Sequence, residues 1–202
     1  MARHGGVGNG LKCLMDCAET QWTALVGHAL KHGDATYGVL AHARLEAPAT
    51  VVFRYVLRAE ISRVRIPPAQ PVARADGLWR HTCFEAFMMA PGTAGYYEFN
   101  FAPSGQWALY HFDAYREGMS PAALESPPEL CVRRFDDRLE VDAAVHLHEL
   151  TALRGAPRLL LGLSAVVEAE NGTLSYWALK HPRDKPDFHC PDGFVFELAG
   201  DL

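Results

Sequence analysis

The sequence lacks long hydrophobic runs and dense clusters of basic residues. None of the apolar stretches in its 202 residues approaches the ~18 residues that identify a membrane-spanning helix. The formal net charge is −5 and the pI is about 6.0, and no stripe of Lys and Arg interrupts this mildly acidic balance. We therefore expect neither a membrane nor a nucleic acid among the partners of this protein.

Cysteine is scarce and irregularly placed. The chain has five cysteines, an odd number, and only Cys13 and Cys17 lie close together. A disulfide framework would need an even number at regular spacings, so the pattern favours a reducing compartment. Residues 1–21 have neither a long apolar segment nor a cleavage site, which argues against a signal peptide. Both features predict a cytoplasmic protein.

The motifs of the common enzyme classes are absent as well. There is no Gly-rich phosphate loop, no G-x-S-x-G turn and no H-E-x-x-H helix. The segment 181–190 contains His, Asp and Cys side chains that suit zinc, but their spacing matches no familiar zinc site. No sequence motif therefore identifies a catalytic residue or a metal ligand.

What the sequence contains instead is a series of strand patterns separated by turn residues. Residues 50–66 alternate with a period of two, and residues 81–90 form a second apolar run. Asn171 and Gly172 separate two further strand patterns, as expected of a hairpin turn. Only residues 147–155 favour a helix. The pattern predicts an all-β, antiparallel sandwich or barrel with at most one or two short helices.

The organisation along the chain is simple. Residues 1–21 are rich in Gly at the start and weakly patterned, so we predict a loose leader. No linker divides the remainder, and we expect residues 22–202 to form a single β-sandwich domain.

The segment "YYEFNFAPSGQWALYHFDAYR", Tyr96–Arg116, predicts a hairpin with its turn at "APSG". Tyr96, Glu98 and Asn100 share one face of the first strand, opposite three aromatic side chains that suit the space between two sheets. If the preceding strand pairs with this one, Glu85 joins Glu98 and Asn100. A buried carboxylate needs hydrogen-bond donors or a cation. The group is therefore either a structural polar network or a set of ligand contacts.

Aromatic and histidine side chains flank these strands. Trp79 and His81 stand just before one strand, and Trp177 lies on another that leads into a loop with His181 and His189. Flat aromatic faces beside planar polar groups are suited to sugars, whose C–H faces pack on rings while their hydroxyls form hydrogen bonds. The structural alternatives are core packing for Trp177 and loop capping for the two loop histidines.

Four blocks of the sequence resemble a known family. "DGLWRHTCFEAFM", "YYEFNFAPSGQWALYHFDAYREGM", "GLSAVVE" and "LSYWALKHPRDKPDFHCPDGF" are similar to the bacterial DOMON-like proteins related to family 9 carbohydrate-binding modules. The resemblance spans about residues 25–198. It implies an antiparallel β-sandwich with an immunoglobulin-like or jelly-roll-like core and a ligand pocket on one sheet or at one end.

The resemblance implies a non-catalytic domain that binds a small ligand, most simply a soluble sugar. Two alternatives stay open. One is a haem or metal site built from Met88, Met89 or Met119 with His81, His111, His181 or His189. The other is an enzyme that processes a sugar derivative with Glu85 and Glu98 as its carboxylate pair. A structural calcium ion is also allowed, and the oligomeric state is not predicted. The candidate ligand-binding residues are Trp79, His81, Glu85, Tyr96, Glu98, Asn100, Trp107, Trp177, His181 and His189.

Overall fold

The computed structural model describes residues 21–29, 37–46 and 49–199. Within these ranges the chain forms thirteen β-strands and no α-helix. The predicted leader, residues 1–21, lies almost wholly outside the described residues. The strands are β1 Thr23–Ala24, β2 Val26–Gly27, β3 Gly38–Glu46, β4 Thr50–Arg58, β5 Cys83–Met89, β6 Tyr96–Phe101, β7 Trp107–Phe112, β8 Ser120–Pro121, β9 Glu129–Arg134, β10 Arg138–His146, β11 Arg158–Glu168, β12 Leu174–Ala178 and β13 Phe196–Ala199.

Helical structure in the described residues is confined to five short 3-10 turns, none long or apolar enough to cross a membrane. The predicted helix at 147–155 is wrong as a continuous helix. Leu150, at φ −84° and ψ 81°, lies outside helical geometry and divides it into two turns. Gly155 follows with a positive φ of 70°. The turns are Ile61–Arg63, Leu78–Arg80, Leu147–Glu149, Thr151–Leu153 and Pro191–Gly193.

The strands form two antiparallel sheets, which confirms the predicted sandwich. The five-stranded sheet has the order β1-β3-β4-β10-β9. The eight-stranded sheet has the order β2-β12-β11-β5-β6-β7-β8, and β13 pairs with the first residues of β11. The predicted hairpin is β6–β7, in which Phe101 pairs with Trp107 across the turn.

The core lies between the two sheets and follows the period of two. Alternate residues of β4 and β10 meet alternate residues of β5, β6, β7 and β11. Phe53 contacts both Phe99 and Phe101, with ring centroids 5.9 and 5.7 Å apart. Tyr55 buries its ring beside Phe84 and donates its hydroxyl to the backbone oxygen of Glu85 at 2.8 Å. Each such large side chain contributes about 1.5–3 kcal/mol of burial free energy.

The eight-stranded sheet is also covered on its outer face. Every residue of β5 and β6 is buried, so alternate residues must face something other than water. A loop of residues 180–195, the covering loop, packs Phe194 against Phe87 with a centroid distance of 5.7 Å. Gly162 permits this approach, because a Cβ there would lie 2.7 Å from the Phe194 ring. The covered outer face holds the candidate site.

Candidate functional site

A pocket of about 370 Å³ opens on the outer face of the eight-stranded sheet. Two other hollows, of about 550 and 600 Å³, have no carboxylate and no aromatic ring in their linings. The first pocket has both carboxylates and aromatic rings in its lining, as expected of a small-ligand site. Its lining residues are Trp79, Glu85, Glu98, Phe112, Arg116, Met119, Val166, Tyr176, Pro186, Phe188 and His189.

Strand pairing brings the predicted polar residues together. Glu85 on β5 lies opposite Asn100 on β6, and Phe87 lies opposite Glu98, so the two acids are diagonal neighbours on one face. The Asn100 amide donates to Glu98 Oε1 at 2.7 Å. Asn100 is fully buried and does not line the pocket. Its place is behind Glu98, which it orients.

Glu85 is the least satisfied of these groups. Its side chain is buried, and its Oε1 atom has no hydrogen-bond partner. Ser164, its neighbour across the ladder on β11, also has an unpartnered buried hydroxyl. Burial, together with the nearby Glu98 carboxylate, holds the pKa of Glu85 well above its ordinary value. Such a carboxyl group retains its proton where an exposed one would lose it.

Glu98 has a milder environment. Burial raises its pKa, but the hydrogen bond from Asn100 and the positive charge of Arg116 oppose the shift. When the two acids share one proton, the proton therefore resides on Glu85 and the charge on Glu98.

His189 closes one side of the pocket as a neutral imidazole. Its Nδ1 atom lies 2.9 Å from the Tyr96 hydroxyl, and its Nε2 atom lies 3.8 Å from Glu98 Oε2. Burial, and then the charge of Arg116, lowers the pKa of His189 to about 4. The Tyr96 oxygen accepts the backbone N–H of Arg116, so we assign its own hydrogen to His189 Nδ1. The remaining imidazole N–H then faces Glu98.

An ion pair fastens the covering loop across the pocket mouth. Asp187 accepts hydrogen bonds from the Arg116 guanidinium at 2.7 Å, from the Tyr115 hydroxyl and from the backbone N–H of His189. Burial alone would raise the pKa of Asp187, but these hydrogen bonds and the Arg116 charge lower it. Asp187 is therefore ionised, and it offsets the charge of Arg116.

The apolar walls come from three separate parts of the chain. Trp79 lies on the turn Leu78–Arg80 and meets Tyr110 edge-on at 5.8 Å. Tyr176 on β12 packs beside Phe188 of the covering loop, with ring centroids 6.0 Å apart. All three wall residues, Trp79, Tyr176 and Phe188, are half-buried, so each leaves ring surface for a ligand.

Of the ten predicted ligand-binding residues, the structure gathers four in the pocket lining. These are Trp79, Glu85, Glu98 and His189. Two more, Tyr96 and Asn100, support Glu98 and His189 from behind. The binding role of all six stays a prediction.

The other four predicted residues lie elsewhere. Trp107 faces the space between the sheets, because the β6–β7 register places it opposite Phe101. Trp177 alternates with Tyr176 and therefore turns away from the pocket, donating its Nε1–H to Ser175 Oγ at 3.1 Å. The two histidines also have other partners: His81 Nδ1 lies 2.7 Å from Glu168, and His181 Nε2 lies 2.8 Å from the Val26 carbonyl oxygen.

The sequence patterns did not reveal Tyr176, Arg116 or Phe188 as pocket-lining residues. Tyr176 is adjacent to Trp177, and alternation along β12 allows only one of them to face the pocket. Val166 on β11 pairs with Tyr176 and also lines the pocket. The alternation along β11 was therefore the sequence signal that could have identified Tyr176. Arg116 and Phe188 come from loops, where no periodicity applies.

The methionines and histidines considered for haem or metal do not all lie in one place. Met88 packs between the sheets, and Met119 lines the pocket with His189. Within residues 21–29, 37–46 and 49–199, one group of metal-ligating side chains has its donor atoms within 4.8 Å of one another: Glu125, His148 and Glu149. None of these three lines the pocket, and the His, Asp and Cys side chains of 181–190 form no such group.

The two-sheet antiparallel sandwich is similar in fold to solved structures of carbohydrate-binding proteins, among them family 9 carbohydrate-binding modules. A presumed carbohydrate-binding protein from Bacteroides uniformis superposes with a TM-score of 0.68 at 15% identity, over 89% of this chain and 86% of its own. A family 9 module from Caldicellulosiruptor kristjanssonii in complex with cellotriose gives a TM-score of 0.55 at 7% identity, over 89% and 82%. The glucose complex gives 0.51 at 7%, over 89% and 83%.

These likenesses show the fold alone, because the identities are so low. No protein-family model matches the sequence, and no curated protein matches it.

Proposed function

We propose that this protein binds a small carbohydrate in the pocket on the outer face of its eight-stranded sheet. The observation that carries the proposal is the pairing of two buried carboxylates, Glu85 and Glu98, with half-buried rings in a single cavity. Carboxylates accept hydrogen bonds from sugar hydroxyls, and aromatic rings pack against the C–H faces of the sugar.

The size of the pocket suits a short ligand. Its volume of about 370 Å³ lies at the lower end of the ~300–1,000 Å³ range of small-molecule sites. We infer a mono- or disaccharide rather than a long polymer. The structural neighbours support a sugar, since two of them are a module with glucose and with cellotriose.

The finer assignments belong to the same proposal. We infer a DOMON-like, non-catalytic protein of the cytoplasm. Support comes from the sequence blocks that resemble this family, which supply Trp79, Glu85, Glu98 and His189 to the pocket. Cys83 and Cys190 are buried free cysteines, as suits a reducing compartment.

The test is calorimetric titration of the protein with glucose, galactose, mannose, cellobiose and their amino derivatives. Trp79→Ala should weaken binding by about tenfold or more, because the variant loses one apolar wall. Trp22→Ala is the matched control, since Trp22 lies beside Arg54 on the five-stranded sheet and outside the pocket. If no sugar binds at millimolar concentration, or both variants lose affinity equally, the proposal is wrong.

Glycoside hydrolysis is the second candidate function, because Glu85 and Glu98 line one open pocket and their environments differ. A raised pKa on one carboxyl and a charge on the other is the arrangement of an acid and its partner. Incubation with aryl glycosides distinguishes the two functions. Turnover that disappears in both Glu85→Gln and Glu98→Gln would establish hydrolysis; binding without turnover would leave the protein a binding module.

A further inference from the structure

The pocket floor carries more negative charge than its surroundings offset. Glu85 and Glu98 both face the cavity, and both are at least nine-tenths buried. Within the described part of the chain, Asn100 donates a hydrogen bond to Glu98, whereas Glu85 Oε1 has no donor at all. Two buried acids side by side are unfavourable unless a hydrogen-bond donor or a cation lies between them.

Among the residues that the structure describes, the pocket lining supplies no free cation for this position. Arg116 lines the pocket, but its guanidinium is bound to Asp187 at 2.7 Å. His189 is neutral, because burial and the Arg116 charge keep it unprotonated. Counting Glu98, Asp187 and Arg116 alone, the pocket has a net negative charge even when Glu85 holds a proton. The missing positive charge is therefore left for a ligand.

We propose that the ligand is a sugar with a free amino group, held by its ammonium between Glu85 and Glu98. This inference rests on the proposed carbohydrate function and names the substrate class. An ammonium offers three N–H donors, enough for Glu85 Oε1 and for the second oxygen of Glu98. The half-buried ring of Trp79 adds an aromatic face that attracts a cation. A neutral sugar fills the same space but leaves the charge uncompensated.

The proposal has a proton-linked consequence. In the free protein, burial and the Glu98 charge favour the protonated form of Glu85, whereas a bound ammonium favours its ionised form. Binding therefore releases a proton, and affinity rises with pH for as long as the ligand amine stays charged. Several groups around Glu85 titrate or carry charge. They are Cys83 on β5, Tyr96 and Glu98 on β6, Tyr55 on β4, Arg116 after β7, and Asp187 and His189 in the covering loop. Strand β11 presents Ser164 to Glu85, and a serine does not titrate.

The experiment compares three forms of each hexose by calorimetry on the intact protein. Glucosamine, galactosamine and mannosamine are titrated beside the parent hexoses and their N-acetyl forms, whose nitrogen carries no charge. We expect at least one free amine to bind about tenfold or more tightly than both of its neutral forms. Repeating that titration in buffers of different ionisation enthalpy should reveal the release of a proton.

The substitution arm uses Glu85→Gln, which keeps the shape of the side chain and removes the charge. The variant should lose most of the preference for the amine over the neutral hexose, whatever change it makes to the affinity for the hexose itself. Glu140→Gln is the control, because it makes the same substitution on the five-stranded sheet, outside the pocket. Thermal unfolding checks that both variants fold, and the ligand comparison on the unchanged protein stands without them.

The outcomes separate this inference from the function beneath it. A neutral hexose that binds as tightly as its amine would overturn the inference and leave carbohydrate binding intact. Cyclohexylamine binding as tightly as the amino sugar would show a cation site but overturn carbohydrate binding. Absence of binding by every sugar and by cyclohexylamine would overturn both.

Discussion

The two sheets treat acidic side chains on their outer faces in opposite ways. On the five-stranded sheet, Asp142 accepts from Arg54 at 3.1 Å and from Arg133 at 2.9 Å. On the eight-stranded sheet, no residue that the structure describes donates to Glu85 Oε1, and Glu98 accepts one hydrogen bond from the side-chain amide of Asn100. Both pairs of strands are antiparallel and place the acids by the same alternation, so backbone geometry does not explain the difference.

The difference lies in what the neighbouring strands and loops contribute. Strands β4, β9 and β10 present arginines to the acids between them, and these neutralise the charge. Arg138 and Arg133 both pair with Glu140, and although burial opposes the shift, their hydrogen bonds lower its pKa. Strands β6 and β11 present an amide and a serine instead. The first face is a structural ion network, and the second leaves acids available to a ligand.

The largest effect should come from Asp142→Asn. The substitution removes a charged acceptor of two arginine hydrogen bonds, and we expect a loss of about 2–3 kcal/mol in the free energy of unfolding. This is less than the ~3–5 kcal/mol of a fully buried pair, because Arg54 and Arg133 stay 15% and 25% exposed. Glu85→Gln should change stability by less than about 1 kcal/mol, or increase it, since the carboxyl already lacks a partner. Urea denaturation at neutral pH compares the two; equal losses would contradict the contrast between the faces.

The sequence predicted the pocket-bearing face better than the pocket itself. Period-two alternation separated Glu98 and Asn100 from the aromatic face of β6, and the shared face with Glu85 followed from pairing the two strands. The sequence did not reveal which face of β7 carries Trp107, because the geometry of the preceding turn decides which residues of β7 face the pocket. Contacts such as Tyr96 with His189, 93 residues apart, depend on tertiary packing that no local pattern encodes.

Gly162→Ala should have the next largest effect, because the outer face of the eight-stranded sheet is covered by a closely packed loop at this position. An added Cβ would lie 2.7 Å from Phe194 and 3.5 Å from Phe87, so the covering loop must move. We expect a loss of about 1–3 kcal/mol and weaker sugar binding. Gly38→Ala is the control on the five-stranded sheet, where a Cβ would meet nothing within 4 Å. Chemical denaturation and calorimetry measure both; an unchanged Gly162→Ala variant would show that the covering loop is not closely packed.

The pH dependence of stability should also differ between the faces. The pKa of Glu85 lies well above its ordinary value of 4.5 in the folded protein, so its stabilising contribution is complete below that value and is lost as pH rises through the folded pKa. The loss is at most about 1.4 kcal/mol per pH unit. Glu85→Gln should abolish this decline, whereas Glu140→Gln should leave it in place. A series of urea titrations across pH measures the slopes, and an identical slope in Glu85→Gln would contradict the assignment of the proton.

The smallest effect concerns the ion pair that fastens the covering loop. Asp187→Asn weakens the contact with Arg116, whose side chain is 51% exposed, so the loss of stability should stay below about 1 kcal/mol. The same change loosens the backbone hydrogen bond to His189 and should speed amide exchange in residues 187–190. Asp137→Asn is the matched control, because its pair with Arg138 is exposed and lies on the other sheet. Faster exchange in the covering loop with little change in global stability would show that the cover over the acids opens separately from the sandwich, whereas equal exchange in both variants would mean that Asp187 does not hold it.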